Sequence, residues 1–163
     1  MIDLGRLAML ARLCLGRHRA SRAACSWCRD FVSVGEVYEK RAEFTQSDVD
    51  AFVRLTGDSN PIHASRASGT AAVVPGLLCS SLFPAIIGSS FPGSLYLSQS
   101  LEFRSKVHVG DAIHARLVVK SVQGRRTTFF TQCFKRGGGG GGGGVGDGEE
   151  TLVIEGEARA LVR

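Results

Sequence analysis

Gly76-Leu77-Leu78-Cys79-Ser80-Ser81-Leu82-Phe83-Pro84-Ala85-Ile86-Ile87-Gly88 contains no charged side chain. A run this long and this apolar reads as a buried helix, with a glycine at each end. Pro84 lacks an N–H and its ring opposes the preceding turn, so a bend or an early end is expected within the run. A buried helix needs a covering layer, and the chain downstream supplies one. Beyond Pro92-Gly93 the pattern changes to strands at residues 95–103, 112–122, 127–134 and 151–161, with Gly110-Asp111 and Gly124 marking turns. Sequential β-hairpins are expected to join these four strands without long crossovers.

Upstream, a strand-like stretch from Phe31 to Val37 leads into a short helix whose two ends are both marked. Thr45 stands at the N-cap with Asp48 three residues on, where an acid complements the helix N-terminus. Phe44 and Val49 occupy hydrophobic-staple positions, Val49, Phe52, Val53 and Thr56 fall on one face, and Gly57 suits the C-terminal stop. Residues 58–64 are polar, and Asn60-Pro61 stiffens them into a rigid loop. One strand, a short helix, a loop, a buried helix and four antiparallel strands make an α+β layout. The sheet wraps one central helix, which is the hot-dog arrangement. Such a sheet leaves edges and faces open, so a homodimer is expected.

The 163 residues suit one domain, and 44% apolar with 21% charged residues is the balance of a soluble globular chain. The net charge of +5 is confined to one end: residues 1–29 hold six arginines against a single acid, Asp3, and the remainder is neutral. A neutral body argues against nucleic-acid binding, which needs cations clustered on a folded face. The leader alternates Leu, Ala and Met with Arg and is nearly free of acids, the composition of a mitochondrial presequence. A secretory signal fits less well because Arg12 interrupts the apolar stretch. The expected location is the mitochondrial matrix, with residues 30–163 as a single domain carrying a glycine-rich loop at 137–148. No run approaches the 18 apolar residues that a membrane span requires. Cys14, Cys25 and Cys28 lie in the leader, and Cys79 and Cys133 alone do not make a disulfide framework. Cys25-Ser-Trp-Cys28 supplies only two zinc ligands of four.

Asp58 and His63 flank Asn60-Pro61, so a tight loop can aim a carboxylate and an imidazole at a common point. One group accepts a proton and the other donates one near neutrality, the combination that moves a hydroxyl and a proton together. On spacing alone, a loop cap and a surface histidine are the commoner reading. Two ligands fall short of a catalytic zinc, so no metal is expected.

The neighbouring residues narrow the choice. Phe44-Thr45, Asp48-Val49, Phe52 and Leu55-Thr56-Gly57-Asp58-Ser59-Asn60-Pro61-Ile62-His63 resemble the hydratase motif of the MaoC-like (R)-specific enoyl-thioester hydratases. The resemblance continues through Val74 to Leu78, Ser80 to Phe83, Phe91 to Gly93, Leu97 to Arg104 and Val109 to Asp111, and so covers most of residues 34–122. Within that family the chain looks most like the mitochondrial type 2 hydroxyacyl-thioester dehydratases of fatty-acid synthesis. The resemblance implies a hot-dog homodimer that works without a cofactor on thioesters of acyl carrier protein or CoA. It implies that Asp58 and His63 hold the reacting water, that the backbone N–H of Gly76 polarises the thioester carbonyl, and that Asn60 supports the loop. A helix N-terminus suits a developing oxyanion.

The sequence departs from the family at Pro75, where histidine is usual, and an altered helix entrance is expected there. Two other functions fit a hot-dog fold. A thioesterase often places a carboxylate on the central helix, whereas residues 76–90 contain no Asp, Glu or His. A non-catalytic acyl-thioester-binding module would not need both Asp58 and His63. Arg104, Lys106, Arg125 and Arg126 offer a basic rim for phosphopantetheine or an acidic carrier, or else form a solvated face.

Overall fold

The computed structural model describes residues 32–64, 71–136 and 150–162; the arginine-rich leader and the glycine run at 137–148 lie outside them. In chain order these residues form β1 (Val37–Glu43), α1 (Gln46–Thr56), a 3-10 turn (Pro61–His63), α2 (Gly76–Ser80) and α3 (Leu82–Ser90). Strands β2 (Leu95–Gln99), β3 (Glu102–Phe103), β4 (Ala112–Gln123), β5 (Arg126–Arg136) and β6 (Glu150–Leu161) follow.

The apolar run becomes a helix in two pieces, α2 and α3, buried along one side while Leu77, Ser81, Pro84 and Gly88 stay exposed. Cys79, Leu82, Phe83, Ile86 and Ile87 are buried in one cluster with Ile113, Ala115, Leu117 and Val119 of β4, Phe129 of β5 and Ile154 of β6. The strand residues recur at every second position because one face of the sheet lies on the helix. Phe83 and Phe129 are fully buried, each contributing roughly 1.5–3 kcal/mol by leaving water. The expected break falls at Ser81. A proline at position 84 cannot donate to the carbonyl of Ser80, so α2 ends there and Pro84 sits in the first turn of α3, where no N–H is required.

All six strands form one sheet in the order β1-β4-β5-β6-β2, with β3 also on β6. A sheet laid over a single helix is the hot-dog fold expected from the sequence. Four details differ. The first strand runs over Val37–Glu43, not 31–37: the chain turns at Val34-Gly35, Gly35 N–H bonds the Val119 carbonyl, and pairing with β4 begins at Val37 opposite Val118. The strand is rich in charge because it lies at a sheet edge with most residues exposed. The strand expected at 95–103 is split into β2 and β3. Ser100 N–H bonds the Glu157 carbonyl while Glu157 N–H bonds the Ser100 hydroxyl, so a side chain replaces a carbonyl and the ladder is interrupted. Sequential hairpins join β4, β5 and β6 only, since β2 and β3 pair with β6. Thr56 points to solvent, its hydroxyl bonding the Phe52 carbonyl at 2.9 Å.

Candidate active site

Local chemistry carries the chain from β1 to Asp58. The Thr45 hydroxyl accepts the N–H of Asp48, and the Asp48 carboxylate accepts the N–H of Thr45 at 2.8 Å, which closes a capping box at the start of α1. Gly57, with φ of 74°, ends the helix and turns the chain outward. Asp58 Oδ1 accepts the N–H of Asn60 at 3.0 Å, and Asn60 Oδ1 accepts the N–H of Ile62 at 3.3 Å. These successive turns leave Asp58 Oδ2 free, and Asn60 caps the 3-10 turn that carries His63. Pro61 pre-sets the geometry of that turn.

His63 is held on two sides. Its Nδ1 lies 2.6 Å from the carbonyl oxygen of Val73. A carbonyl only accepts, so Nδ1 carries a proton, and in the neutral form of the ring the lone pair is therefore at Nε2. Nε2 stands 3.5 Å from Asp58 Oδ2, beyond an optimal direct bond. The His63 side chain is 9% exposed and that of Asp58 38%: a fixed imidazole beside a carboxylate that solvent reaches. Two acceptors at this spacing can each take one hydrogen of a single water molecule. Gln46 Nε2 donates to the His63 carbonyl at 3.1 Å, and Val73 N–H donates to the Ile62 carbonyl at 3.0 Å, so α1 and the segment before α2 both brace the loop.

Val73 also leads directly to Gly76. Three residues of chain span at most about 11 Å, which ties the entrance of α2 to the histidine lock. Pro75 is the N-cap of α2, with φ of −55°, and its carbonyl accepts from Leu78 and Cys79. A residue in that position needs no N–H, so Pro75 leaves α2 starting at Gly76. The Phe103 ring lies against Gly76, where a Cβ would come within 2.5 Å of Cε1. Asp58, Asn60 and His63 are thus gathered in one loop, and Gly76 stands on a separate element connected through Val73. Sequence reasoning missed Val73, Gln46 and Phe103. A backbone carbonyl leaves no mark in the identity of its residue, and Gln46 and Phe103 act across long sequence separations. Among the described residues no three His, Cys, Asp or Glu side chains cluster as metal ligands, and no helix is long and apolar enough to cross a membrane.

A family model described as the MaoC like domain matches residues 32–133. The chain belongs to that family. This MaoC-like chain is 34% identical, over 94% of its length and 90% of the relative's, to the tomato (Solanum lycopersicum) protein named 3-hydroxyacyl-[acyl-carrier-protein] dehydratase FERN, mitochondrial. It is 35% identical, over 82% of its length and 80% of the relative's, to the mitochondrial 3-hydroxyacyl-[acyl-carrier-protein] dehydratase of Arabidopsis thaliana. Among solved structures, the (R)-hydratase of A. caviae involved in PHA biosynthesis superposes with a TM-score of 0.69 at 31% identity, covering 82% of this chain and 99% of that one.

Proposed function

We propose that this MaoC-like protein is a hydro-lyase that reversibly dehydrates (R)-3-hydroxyacyl thioesters to trans-2-enoyl thioesters, the class of reaction that its relatives' names state. The observation that carries the reading is the fixed pair Asp58 Oδ2 and His63 Nε2, 3.5 Å apart, with the imidazole proton committed to Val73. In the hydration direction a water molecule donates to both acceptors. Its oxygen bonds to C3, the proton it loses passes to the pair, and a proton is delivered from the pair to C2. One molecule of water is consumed and the pair returns to its starting state. In reverse, the pair removes the C2 proton and protonates the departing hydroxyl. A positioned acid and base of this kind contributes about 10²- to 10⁴-fold.

Charge that accumulates on the thioester oxygen is assigned to the Gly76 N–H, which bonds no carbonyl among the described residues and opens α2. Asn60 keeps Asp58 and His63 in register by capping the turn between them. The proton transfers need no cofactor. Substrates are thioesters of acyl carrier protein or CoA. The leader's composition and the mitochondrial relatives support a presequence at residues 1–29 and a place in the matrix, in fatty-acid synthesis. A homodimer is supported by β1 and β2 at the two open edges of the sheet, and by exposed Leu95 and Leu97 on β2.

The test follows absorbance of the conjugated enoyl thioester after crotonyl-CoA or crotonyl-acyl carrier protein is added to the protein and to its Asp58→Asn variant. Loss of absorbance without thiol release, abolished in the variant, is the expected result. Release of free thiol would make the protein a thioesterase, and no change with either substrate would make it a binding module.

A further inference from the structure

The basic rim read from the sequence is redrawn by the fold. Arg104 is held between Glu102 and Glu155, with the latter at 2.7 Å, so its charge is neutralised. Arg126 instead joins cations from the neighbouring strands in a cleft of about 450 Å³ that Leu97, Lys120, Glu157 and Arg159 also line. Thr127, Phe129, Ala158 and Ala160 point into the core, so strand alternation turns Arg126, Thr128 and Arg159 to the outer face of the sheet.

The register sets the two arginines close together. Arg126 lies opposite Leu161 and Thr128 opposite Arg159, which makes the arginines diagonal neighbours within reach of each other's long side chains. Like charges so placed repel. Neither arginine lies within ion-pairing distance of a carboxylate among the described residues. Glu157, the sole acid lining the cleft among the described residues, is bonded by Lys120. That bond and the Lys120 charge, with a lesser effect of Arg159, hold its carboxyl below the usual range. Ser121 pairs with Thr128, and Gln123 with Arg126, so neutral donors from β4 and β5 lie beside two guanidinium forks that are ion-paired to no carboxylate among the described residues. Planar forks beside hydroxyl donors match the oxygens of a phosphate ester.

We propose that this outer-face cleft is a phosphate-ester site formed by Arg126 and Arg159 with Thr128 and Ser121. The inference rests on the acyl-thioester reading, because CoA and the phosphopantetheine arm of a carrier protein both bear phosphate at the end remote from sulfur.

Calorimetric titration of the full chain with 3′-phosphoadenosine 5′-diphosphate and, separately, with 4′-phosphopantetheine tests it. At least one probe is expected to bind, more weakly as salt is raised, and the Arg126→Gln/Arg159→Gln double variant to bind at least about tenfold more weakly, as loss of charge-assisted hydrogen bonds dictates. The Arg126→Lys/Arg159→Lys variant keeps the charge without the fork and should fall between, which separates lost recognition from lost folding. Tighter binding of the nucleotide assigns the cleft to CoA, and tighter binding of phosphopantetheine assigns it to a carrier-borne arm. Failure of both probes to bind at millimolar concentration, or equal binding by the Gln variant, overturns the proposal. Turnover plays no part in this readout, so an inactive protein would overturn the proposed reaction separately.

Discussion

The edge of the Phe103 ring fills the place that a side chain on residue 76 would need, with Cε1 2.5 Å and Cδ1 2.8 Å from a Cβ built on Gly76. Phe103 is 54% exposed, so its ring has room to move, and Gly76→Ala is expected to fold while shifting either the ring or the start of α2. If the Gly76 N–H serves the thioester oxygen, a displacement of this size costs about 10²-fold in kcat. Steady-state hydration of crotonyl-CoA by Gly76→Ala checks this, with a thermal melt to confirm folding. Wild-type turnover in the alanine variant would mean that the Phe103 ring, and not α2, gives way; a crystal structure of the variant showing α2 displaced with turnover unchanged would remove Gly76 from the site.

Asn60 acts through its side-chain oxygen, which accepts the Ile62 N–H at 3.3 Å. Asn60→Ala loses this cap and about 1 kcal/mol of stability, and it frees the turn that sets His63 against Asp58. Turnover is expected to fall, yet by less than the 10²- to 10⁴-fold expected of His63→Ala, which deletes a proposed reacting group. Asn60→Asp retains the acceptor and should restore most of the activity. If Asn60→Asp is as impaired as Asn60→Ala, the support comes from the amide nitrogen and this account of Asn60 fails.

The Thr45 hydroxyl and N–H both bond the Asp48 carboxylate, the hydroxyl having the larger effect, and together they hold Asp48 below its ordinary pKa. A depressed folded-state value means that the associated stability is present above the ordinary value of 3.8 and disappears as pH falls through the folded value. Thr45→Ala is expected to cost about 1 kcal/mol at neutral pH, and the difference from wild type should shrink in acid. Urea denaturation at pH 7 and near pH 3 measures both. A difference that is constant with pH would mean that the hydroxyl acts as a cap independently of the carboxylate.

What could be read from the sequence was local or compositional. Thr45, Asp48 and Gly57 announce α1 because caps are written in the residues that make them, and residues 76–88 announce a helix with a buried side because they form a long, uncharged and largely apolar run. Placement of β1 failed because an exposed edge strand, Val37–Glu43, is more charged than the chain before it. The pairing of β2 with β6 is a choice among distant partners that no single strand encodes. In the candidate site, Asp58, Asn60 and His63 are singled out by a family motif, and the structure gathers them in one loop. The Val73 carbonyl that fixes the imidazole tautomer is backbone, and so has no sequence signal of its own.

Cys79 on α2 and Cys133 on β5 are buried at 1% and 0% exposure. Burial pushes each thiol from its ordinary value of 9.0 up to about 12, with Asp111 adding to the effect on Cys79 and Cys79 adding to that on Cys133. Between these values the unfolded chain releases protons that the folded chain retains, so stability is complete below about pH 9 and declines as pH rises toward 12. The decline is at most about 1.4 kcal/mol per pH unit for each thiol. Urea denaturation at pH 8, 9, 10 and 10.5 should show the midpoint falling from pH 9 upward, and the fall should be shallower in Cys79→Ala and Cys133→Ala, each of which removes one titrating group. A midpoint that stays level to pH 10.5, or falls equally in all three proteins, would assign the alkaline limit to other groups, Tyr96 being the next raised by burial.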